Sequence, residues 1–243
     1  MIKGYKRLKP SDLKPRNPWS FWHMARALEL LDLNTYTGNV NASILSIGHF
    51  LGGRVGEYAS KSRKDWHKLV NVNDVQLIKV GHDLKSIIVN FRFAKNNKDG
   101  YYSGKVEAVC SCKSGVCPVH IIARYLKIRW NVFGANRNSD PLLLTSKGLP
   151  VRQQHVNNLI KSLARDLQLD PTVYSSHSLR AGRATDLARA FKPDWFIKKW
   201  GRWRSNCWQD FYAKLDFTDI AIMSNLTLNQ LGLSGNSINL VSE

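Results

Sequence analysis

The sequence predicts an α+β fold that is mainly helical, with a small antiparallel sheet of about three strands. Apolar residues recur at helical spacing in several separate segments, most clearly in residues 152–168. Three short runs rich in β-branched and aromatic residues lie close together between residues 75 and 109. Since 43% of the 243 residues are hydrophobic, the chain can bury a core of its own.

The chain is strongly basic, with 36 Lys and Arg against 18 Asp and Glu and a formal net charge of +18. These cations are spread along the sequence, which favours a folded basic surface over a charged tail. The charge predicts a polyanionic partner, with nucleic acid as the first candidate and an anionic membrane as the second. No run has the apolar length needed to span a bilayer, so we expect no membrane partner.

Residues 1–18 are basic and contain three prolines. They are interpreted as an extended arm or linker, which could lie along a phosphate backbone, or as a disordered terminus. No apolar segment follows them, so they are not a signal peptide. Four cysteines, three of them clustered, are not typical of a secreted disulfide framework. We therefore expect an intracellular protein, nuclear if the cell is eukaryotic.

Two helices are predicted next, one over residues 19–33 and a second that begins at residues 41–47. After the second helix, a glycine pair directly precedes Arg54, and glycines there would let a backbone or a ligand approach closely. Glu57 follows Arg54 by three residues, a spacing at which the two side chains meet. Two interpretations of this pair remain open, a surface ion pair and part of a functional site.

Three strands are predicted at residues 75–80, 86–93 and 105–109. The connection between the second and third is a turn-rich loop that carries Lys95 and Lys98. Lysines at a hairpin tip are normally only solvated, but one that reaches into a groove can act as a general acid.

A cysteine-rich segment follows the strands, with the spacing C-x-C-x4-C-x2-H. Its members are Cys110, Cys112, Cys117 and His120. Four soft ligands this close could hold a structural zinc, although the spacing matches no common zinc pattern well. Reduced, buried thiols are the favoured alternative. Pro118 then opens a helix that extends to about residue 130.

Residues 152–168 form a further predicted helix with one polar face. This face includes candidates for contacts to phosphates and base edges, namely Arg152, Gln153, Gln154, Asn157 and Lys161. Lys98 in the hairpin loop is a further candidate for DNA contact. A solvated amphipathic helix with no such role is the stronger alternative for the polar face.

The segment 176–216 carries the most suggestive side chains. His177 and Arg180 are three residues apart on a helix that Ser175 or Ser176 caps, so they share one face. A second helix starts after Pro193 and ends at Gly201. Trp203 and, nine residues later, Tyr212 complete the set: a proton carrier, a fixed cation, an indole N–H and a phenol. Such a set suits work on a phosphodiester.

With these residues in place, the chain resembles the catalytic domain of tyrosine recombinases, the phage-integrase family. The residues that match the family signature in order are Arg54, Lys95, His177 with Arg180, Trp203 and Tyr212, with Glu57 at the acidic position after the first arginine. The resemblance covers about residues 38–216 and is similar to members that use Trp in place of the second His. The long hairpin and cysteine-rich segment resemble the eukaryotic mobile-element branch called cryptons.

The resemblance implies a site-specific recombinase that acts on double-stranded DNA as a homo-oligomer, a tetramer, to integrate or excise a mobile element. Tyr212 would attack the scissile phosphate and form a covalent 3′-phosphotyrosine, with His177 as the proton acceptor. Lys95, or alternatively Lys98, would protonate the leaving 5′-oxygen.

The two signature arginines, Arg54 and Arg180, would stabilise the charged transition state, and Trp203 would donate one hydrogen bond. Neither a metal nor ATP is expected to take part.

The implied domain division is 1–37 for the arm and leading helix, 38–223 for the catalytic domain and 224–243 for a tail that docks on a neighbouring protomer. Only 53 residues precede Arg54, so the family's usual upstream core-binding domain is missing or lost. Three alternatives remain open: a type IB topoisomerase-like enzyme, a domesticated DNA-binding protein that no longer cuts, and a zinc-stabilised interaction module. The first is disfavoured because that family has Lys where His177 stands.

Overall fold

The computed structural model describes residues 17–93, 104–110, 116–134, 137–203 and 209. Its helices are α1 (Phe21–Glu29), α2 (Tyr36–His49), α3 (Val55–Tyr58), α4 (Pro118–Phe133), α5 (Gln153–Asp166), α6 (Ser176–Arg189) and α7 (Asp194–Gly201). Its strands are β1 (Val75–Val80), β2 (Asp83–Asn90) and β3 (Lys105–Val109), and short 3-10 turns connect some of these elements. The predicted α+β fold, mainly helical with a small antiparallel sheet, is confirmed.

The sheet is antiparallel with the order β1-β2-β3. Ile87 and Val89 on the central strand are fully buried, so one face of the sheet packs on the core. The predicted range of β2 was three residues too late at its start, because pairing continues to Val80 opposite Asp83 across a tight turn. At the other end, the Phe91 N–H still donates to the Gly104 carbonyl at 2.9 Å.

Helix α2 runs through the centre of the core, and its predicted start at Asn41 was wrong. The helix begins at Tyr36 because the Thr35 hydroxyl caps it, accepting the Gly38 N–H at 3.0 Å. Nearly every residue from Gly38 to His49 is buried, against α4 on one side and α6 on another. A helix buried on several faces lacks a clear apolar stripe, so its first turns carry little periodic signal.

The leading helix α1 belongs to the same core as α2. The Trp19 N–H donates to the Ser178 carbonyl at 2.8 Å, and the Phe21 N–H donates to the Asp186 carboxylate at 2.8 Å. Helix α1 is thus tied directly to α6. Within the part of the chain that the structure describes, no helix is long and apolar enough to cross a membrane. The predicted boundaries at 38–223 and 224–243 stay predictions.

Helices α5, α6 and α7 follow, and α7 packs against the glycine turn that follows α2. Helix α5 buries Val156, Ile160 and Leu163, as its periodicity predicted. Ser175, the first of the two predicted candidates, is the N-cap of α6. Helix α7 ends at Gly201, as predicted, and Arg202 takes a left-handed conformation there with φ of 52°. This places the following residue back against the helix end.

Candidate active site

The turn between α2 and α3 is the structural centre of the candidate site. Gly52 has φ of +58°, a conformation that suits glycine, and a Cβ there would lie 3.0 Å from the Trp200 ring. The Trp200 indole N–H donates to the Phe50 carbonyl at 2.9 Å, which fixes α7 against this turn. The glycine was predicted to allow close approach, and the group that approaches is a tryptophan ring.

The Gly52 carbonyl binds two arginines at once. Arg180 Nη1 donates to this oxygen at 2.9 Å and Arg202 Nη2 donates to it at 3.0 Å. The two residues come from α6 and from the end of α7. One backbone oxygen therefore sets the positions of two guanidinium groups.

The Glu57 carboxylate is the second point of convergence, and it receives four donors. Oε2 accepts the Arg54 backbone N–H at 2.8 Å and Arg202 Nη2 at 2.7 Å. Oε1 accepts Arg54 Nη1 at 3.2 Å and Arg202 Nη1 at 3.1 Å. The Glu57 side chain is only 4% exposed and that of Arg54 is 21% exposed. The Arg54–Glu57 pair is therefore not an ordinary surface ion pair.

Arg202 is the residue of this site that the sequence interpretation missed. Its guanidinium forms a two-pronged pair with Glu57 on one side and lies over the Phe91 ring, with Cζ 4.2 Å from the centroid, on the other. Burial lowers the pKa of Arg202, and the Glu57 carboxylate partly opposes this shift. A buried carboxylate three residues after Arg54 needs a second cation, but the burial of Glu57 is known only from the structure, so the sequence carried no signal for Arg202.

Arg180 and Trp203 are in contact in the interior. Arg180 is 2% exposed, and its guanidinium lies 4.5 Å from the Trp203 ring centroid. It also donates to the Gly201 carbonyl through Nη2. The Trp203 ring lies directly over the Cα of Gly201, where a Cβ would overlap it. These contacts join α6 to the end of α7.

His177 lies on α6 one turn before Arg180 and is half-buried, so the predicted shared helix is confirmed. The structure thus brings together Arg54, Glu57, Arg180 and Trp203 and adds Arg202. Of the remaining predicted catalytic residues, Lys95, its alternative Lys98 and the nucleophile Tyr212 lie outside the described residues.

The polar face of α5 divides into two groups. Gln153 donates to the Ala59 carbonyl at 3.2 Å, and Asn157 accepts the Ser176 N–H at 2.9 Å, so both already make hydrogen bonds within the fold. The other predicted DNA contacts, Arg152, Gln154 and Lys161, are exposed. Arg152 and Lys161 therefore give this helix a basic surface at its start and in its middle.

The predicted metal-ligand set is partly brought together. Cys110, Cys117 and His120 form one cluster, while Cys112 lies outside the described residues.

Comparison with known proteins places the fold. No family model matches the sequence, and no curated protein matches it. Among solved structures, XerA recombinase matches with a TM-score of 0.62 at 17% identity, over 92% of this chain and 66% of that chain. XerH site-specific recombinase bound to a palindromic difH substrate matches with a TM-score of 0.61 at 13% identity, over 95% and 58% of the two chains. The Tn1549 transposon integrase in complex with transposon right-end DNA matches with a TM-score of 0.53 at 17% identity, over 93% and 71%.

These likenesses show that the chain has the fold of a tyrosine recombinase catalytic domain. At identities of 12–18% they establish the fold alone. The chain spans 66% and 58% of the lengths of the first two structures.

Proposed function

We propose that this protein is a site-specific DNA recombinase, which breaks and rejoins DNA strands through Tyr212 to integrate or excise a mobile element. The observation that carries the proposal is the convergence of three arginines on the Gly52 carbonyl and the Glu57 carboxylate. Three guanidinium groups against a single carboxylate leave a local excess of positive charge. Such a site favours a phosphate that gains negative charge in its transition state.

The arginines of this site have different tasks in the proposal. Arg202 is nearly enclosed, so it serves to hold the Glu57 carboxylate in place. Glu57 in turn orients Arg54. Of the two arginines that bind Glu57, Arg54 has the more exposed side chain. Arg54 then presents its planar, permanently charged fork to a nonbridging phosphate oxygen. Arg180 supplies the second positive charge from inside the site, where it is 2% exposed and its two terminal nitrogens donate to the Gly52 and Gly201 carbonyls.

The proposed reaction is a pair of transesterifications. The Tyr212 Oη attacks the phosphorus, the new P–O bond to tyrosine forms, and the bond from phosphorus to the 5′-oxygen breaks. The phenolic proton passes to His177, and the leaving 5′-oxygen takes a proton from Lys95. In the second step a 5′-hydroxyl attacks the phosphotyrosine and the proton transfers reverse. The phosphodiester energy is kept in the covalent bond, so rejoining needs no ATP.

The proposed partner is double-stranded DNA, bound by a homo-oligomer that forms a tetramer on two recombining sites. The net charge of +18 and the exposed cations of α5 support DNA binding. A phenol, a histidine and two arginine forks in one chain support the chemistry. Analytical ultracentrifugation of the protein with its selected DNA measures the stoichiometry, and the proposal expects four chains.

The test of cleavage uses a nicked suicide substrate, in which the short strand released by cleavage diffuses away. Bound duplexes are first selected from a random pool, and nicked versions of the enriched sequence are then incubated with the protein. The proposal expects a covalent protein–DNA adduct with wild type and none with Tyr212→Phe. Tyr36→Phe is the matched control, because the Tyr36 hydroxyl contacts the Leu144 carbonyl in the core, and it keeps the adduct.

Two results overturn the proposal. If duplexes are selected but no covalent adduct forms, the chain is a DNA-binding protein that does not cut. An adduct that persists in Tyr212→Phe assigns the nucleophile to another residue.

A further inference from the structure

The thiol and imidazole groups at the junction of β3 and α4 form a cluster that the proposed recombination does not use. Cys110 follows the last residue of β3, Cys117 is the N-cap of α4, and His120 lies in the first turn of that helix. Their ligand atoms all lie within 4.8 Å of one another. Two different elements thus deliver three soft ligands to one point.

The distances within this cluster match the edges of a tetrahedral zinc site. The two sulfurs are 3.6 Å apart, and His120 Nδ1 lies 3.6 Å from the Cys110 sulfur and 3.3 Å from the Cys117 sulfur. With Zn–S of about 2.3 Å and Zn–N of about 2.0–2.1 Å, tetrahedral geometry places sulfurs about 3.8 Å apart and sulfur from nitrogen about 3.6 Å. All three observed edges agree within about 0.3 Å, inside the tolerance set by ligand distances good to about 0.2 Å.

Backbone contacts of the fold restrain the three ligands. The Cys110 N–H donates to the Lys85 carbonyl at 2.7 Å, so this residue continues the pairing of β3 with β2. The Cys117 side chain is buried at the N-terminus of a 16-residue helix, where the helix dipole favours the negatively charged thiolate. Pro118 fixes the first helical turn that carries His120. These contacts fix the backbone of all three ligand residues.

We propose that Cys110, Cys117 and His120 bind a structural Zn²⁺ that ties the edge strand β3 to helix α4. Thiolate and imidazole ligands together select zinc over the hard cations Mg²⁺ and Ca²⁺. The ion joins Cys110, at which the pairing of β3 ends, to the first turn of α4. It thereby fixes the end of the β2–β3 hairpin opposite the connection that carries Lys95. The proposal rests on the three described donors; Cys112, the fourth member of the sequence pattern, lies outside the described residues.

Zinc content is the direct measurement. The full chain is purified under reducing conditions, loaded with Zn²⁺, dialysed against metal-free buffer and analysed by mass spectrometry for metal per chain. Wild type retains about one zinc per chain, while Cys117→Ser and His120→Gln each lose nearly all of it. The matched controls Cys207→Ser and His82→Gln remove one thiol and one imidazole from elsewhere in the sequence and retain the zinc.

Two further measurements keep the proposal open to refutation if a variant folds poorly. Zinc X-ray absorption of wild type shows sulfur neighbours at about 2.3 Å and a nitrogen neighbour at about 2.0–2.1 Å. A chelator lowers the midpoint of thermal unfolding of wild type, and it leaves the midpoint of Cys117→Ser unchanged.

A wild-type chain without zinc after loading, or zinc with oxygen neighbours alone, overturns the proposal in favour of reduced, packed thiols. None of these readouts depends on DNA cleavage, so the zinc site and the proposed recombination fail or stand separately.

Discussion

Replacement of Glu57 by glutamine should destabilise the protein far more than loss of an ordinary ion pair. The substituted amide would keep the shape of the side chain, but its NH₂ group would face guanidinium N–H groups where a carboxylate oxygen accepted them. The carboxylate receives four donors, and the amide retains an acceptor for only half of them. The Arg202 cation, itself 3% exposed in its side chain, then lacks a counter-charge.

Breaking a buried pair by removing one partner costs about 3–5 kcal/mol. For a chain of this size, each kcal/mol lowers the unfolding midpoint by about 2–4 °C, so Glu57→Gln should lower it by roughly 6–20 °C. The assay is chemical denaturation at fixed pH, with thermal unfolding as a second probe. Glu29→Gln is the matched control, since Glu29 pairs with Arg26 at the same spacing on an exposed surface. That control should change stability by less than about 1 kcal/mol.

A double-mutant cycle separates the pair from its surroundings. Arg202→Met alone also destabilises, because Glu57 then loses two donors. The double variant Glu57→Gln/Arg202→Met should be more stable than the sum of the two single losses by about 1–3 kcal/mol. A Glu57→Gln loss below about 1 kcal/mol, or strictly additive losses, would refute the assignment of Arg202 as the buried counter-ion.

Three further predictions concern the same region. Gly52→Ala should cost about 1–3 kcal/mol in denaturant unfolding, because φ is +58° and a tryptophan ring lies 3.0 Å from the added Cβ, whereas Gly56→Ala should be neutral. Arg180→Lys keeps the charge but loses the fork, so the cleavage rate in the suicide-substrate assay should fall at least about 100-fold while duplex binding persists. Burial lowers the pKa of His49, which lies 3.4 Å from Asp186. The unfolded histidine takes up a proton near pH 6.5, whereas the buried one stays neutral to a lower pH. The free energy of unfolding should therefore be highest above about pH 6.5 and fall below it by up to about 1.4 kcal/mol per pH unit. A free energy of unfolding that stays constant from about pH 7.5 to 5 would contradict this.

Short-range features of this fold were predictable from the sequence, and long-range ones were not. The period of α5, the proline at the start of α4 and the serine cap of α6 are local signals, and each is found in the structure. The start of α2 was predicted too late, because a helix buried on several faces shows no clear stripe in its first turns. The spacing of residues predicts on which face of a helix a side chain lies. Its burial depends on elements distant in the sequence that pack against that face.

The candidate site shows the same division. Arg54 and Glu57 were paired correctly by their spacing, but the choice between a surface pair and a site residue needed the burial of Glu57. Arg202 contacts Glu57 across 145 residues of sequence, through a left-handed backbone that no local pattern of Gly-Arg-Trp predicts for arginine. The cysteine cluster was visible as a pattern, yet the ligand atoms of Cys110, Cys117 and His120 come within 4.8 Å of one another only when β3 and α4 meet.

The Gly52 carbonyl explains why the glycine, the tryptophans and the arginines of this region form a single unit. It is the acceptor for both Arg180 and Arg202, which lie 128 and 150 residues further along the chain. A shift of this one oxygen moves two guanidinium groups together, and it also changes how Arg202 holds Glu57. Gly52 has a positive φ and no Cβ, which makes room for Trp200, whose indole anchors α7 to the Phe50 carbonyl. The geometry of the candidate site is therefore set by the backbone of a turn, and the charged side chains follow it.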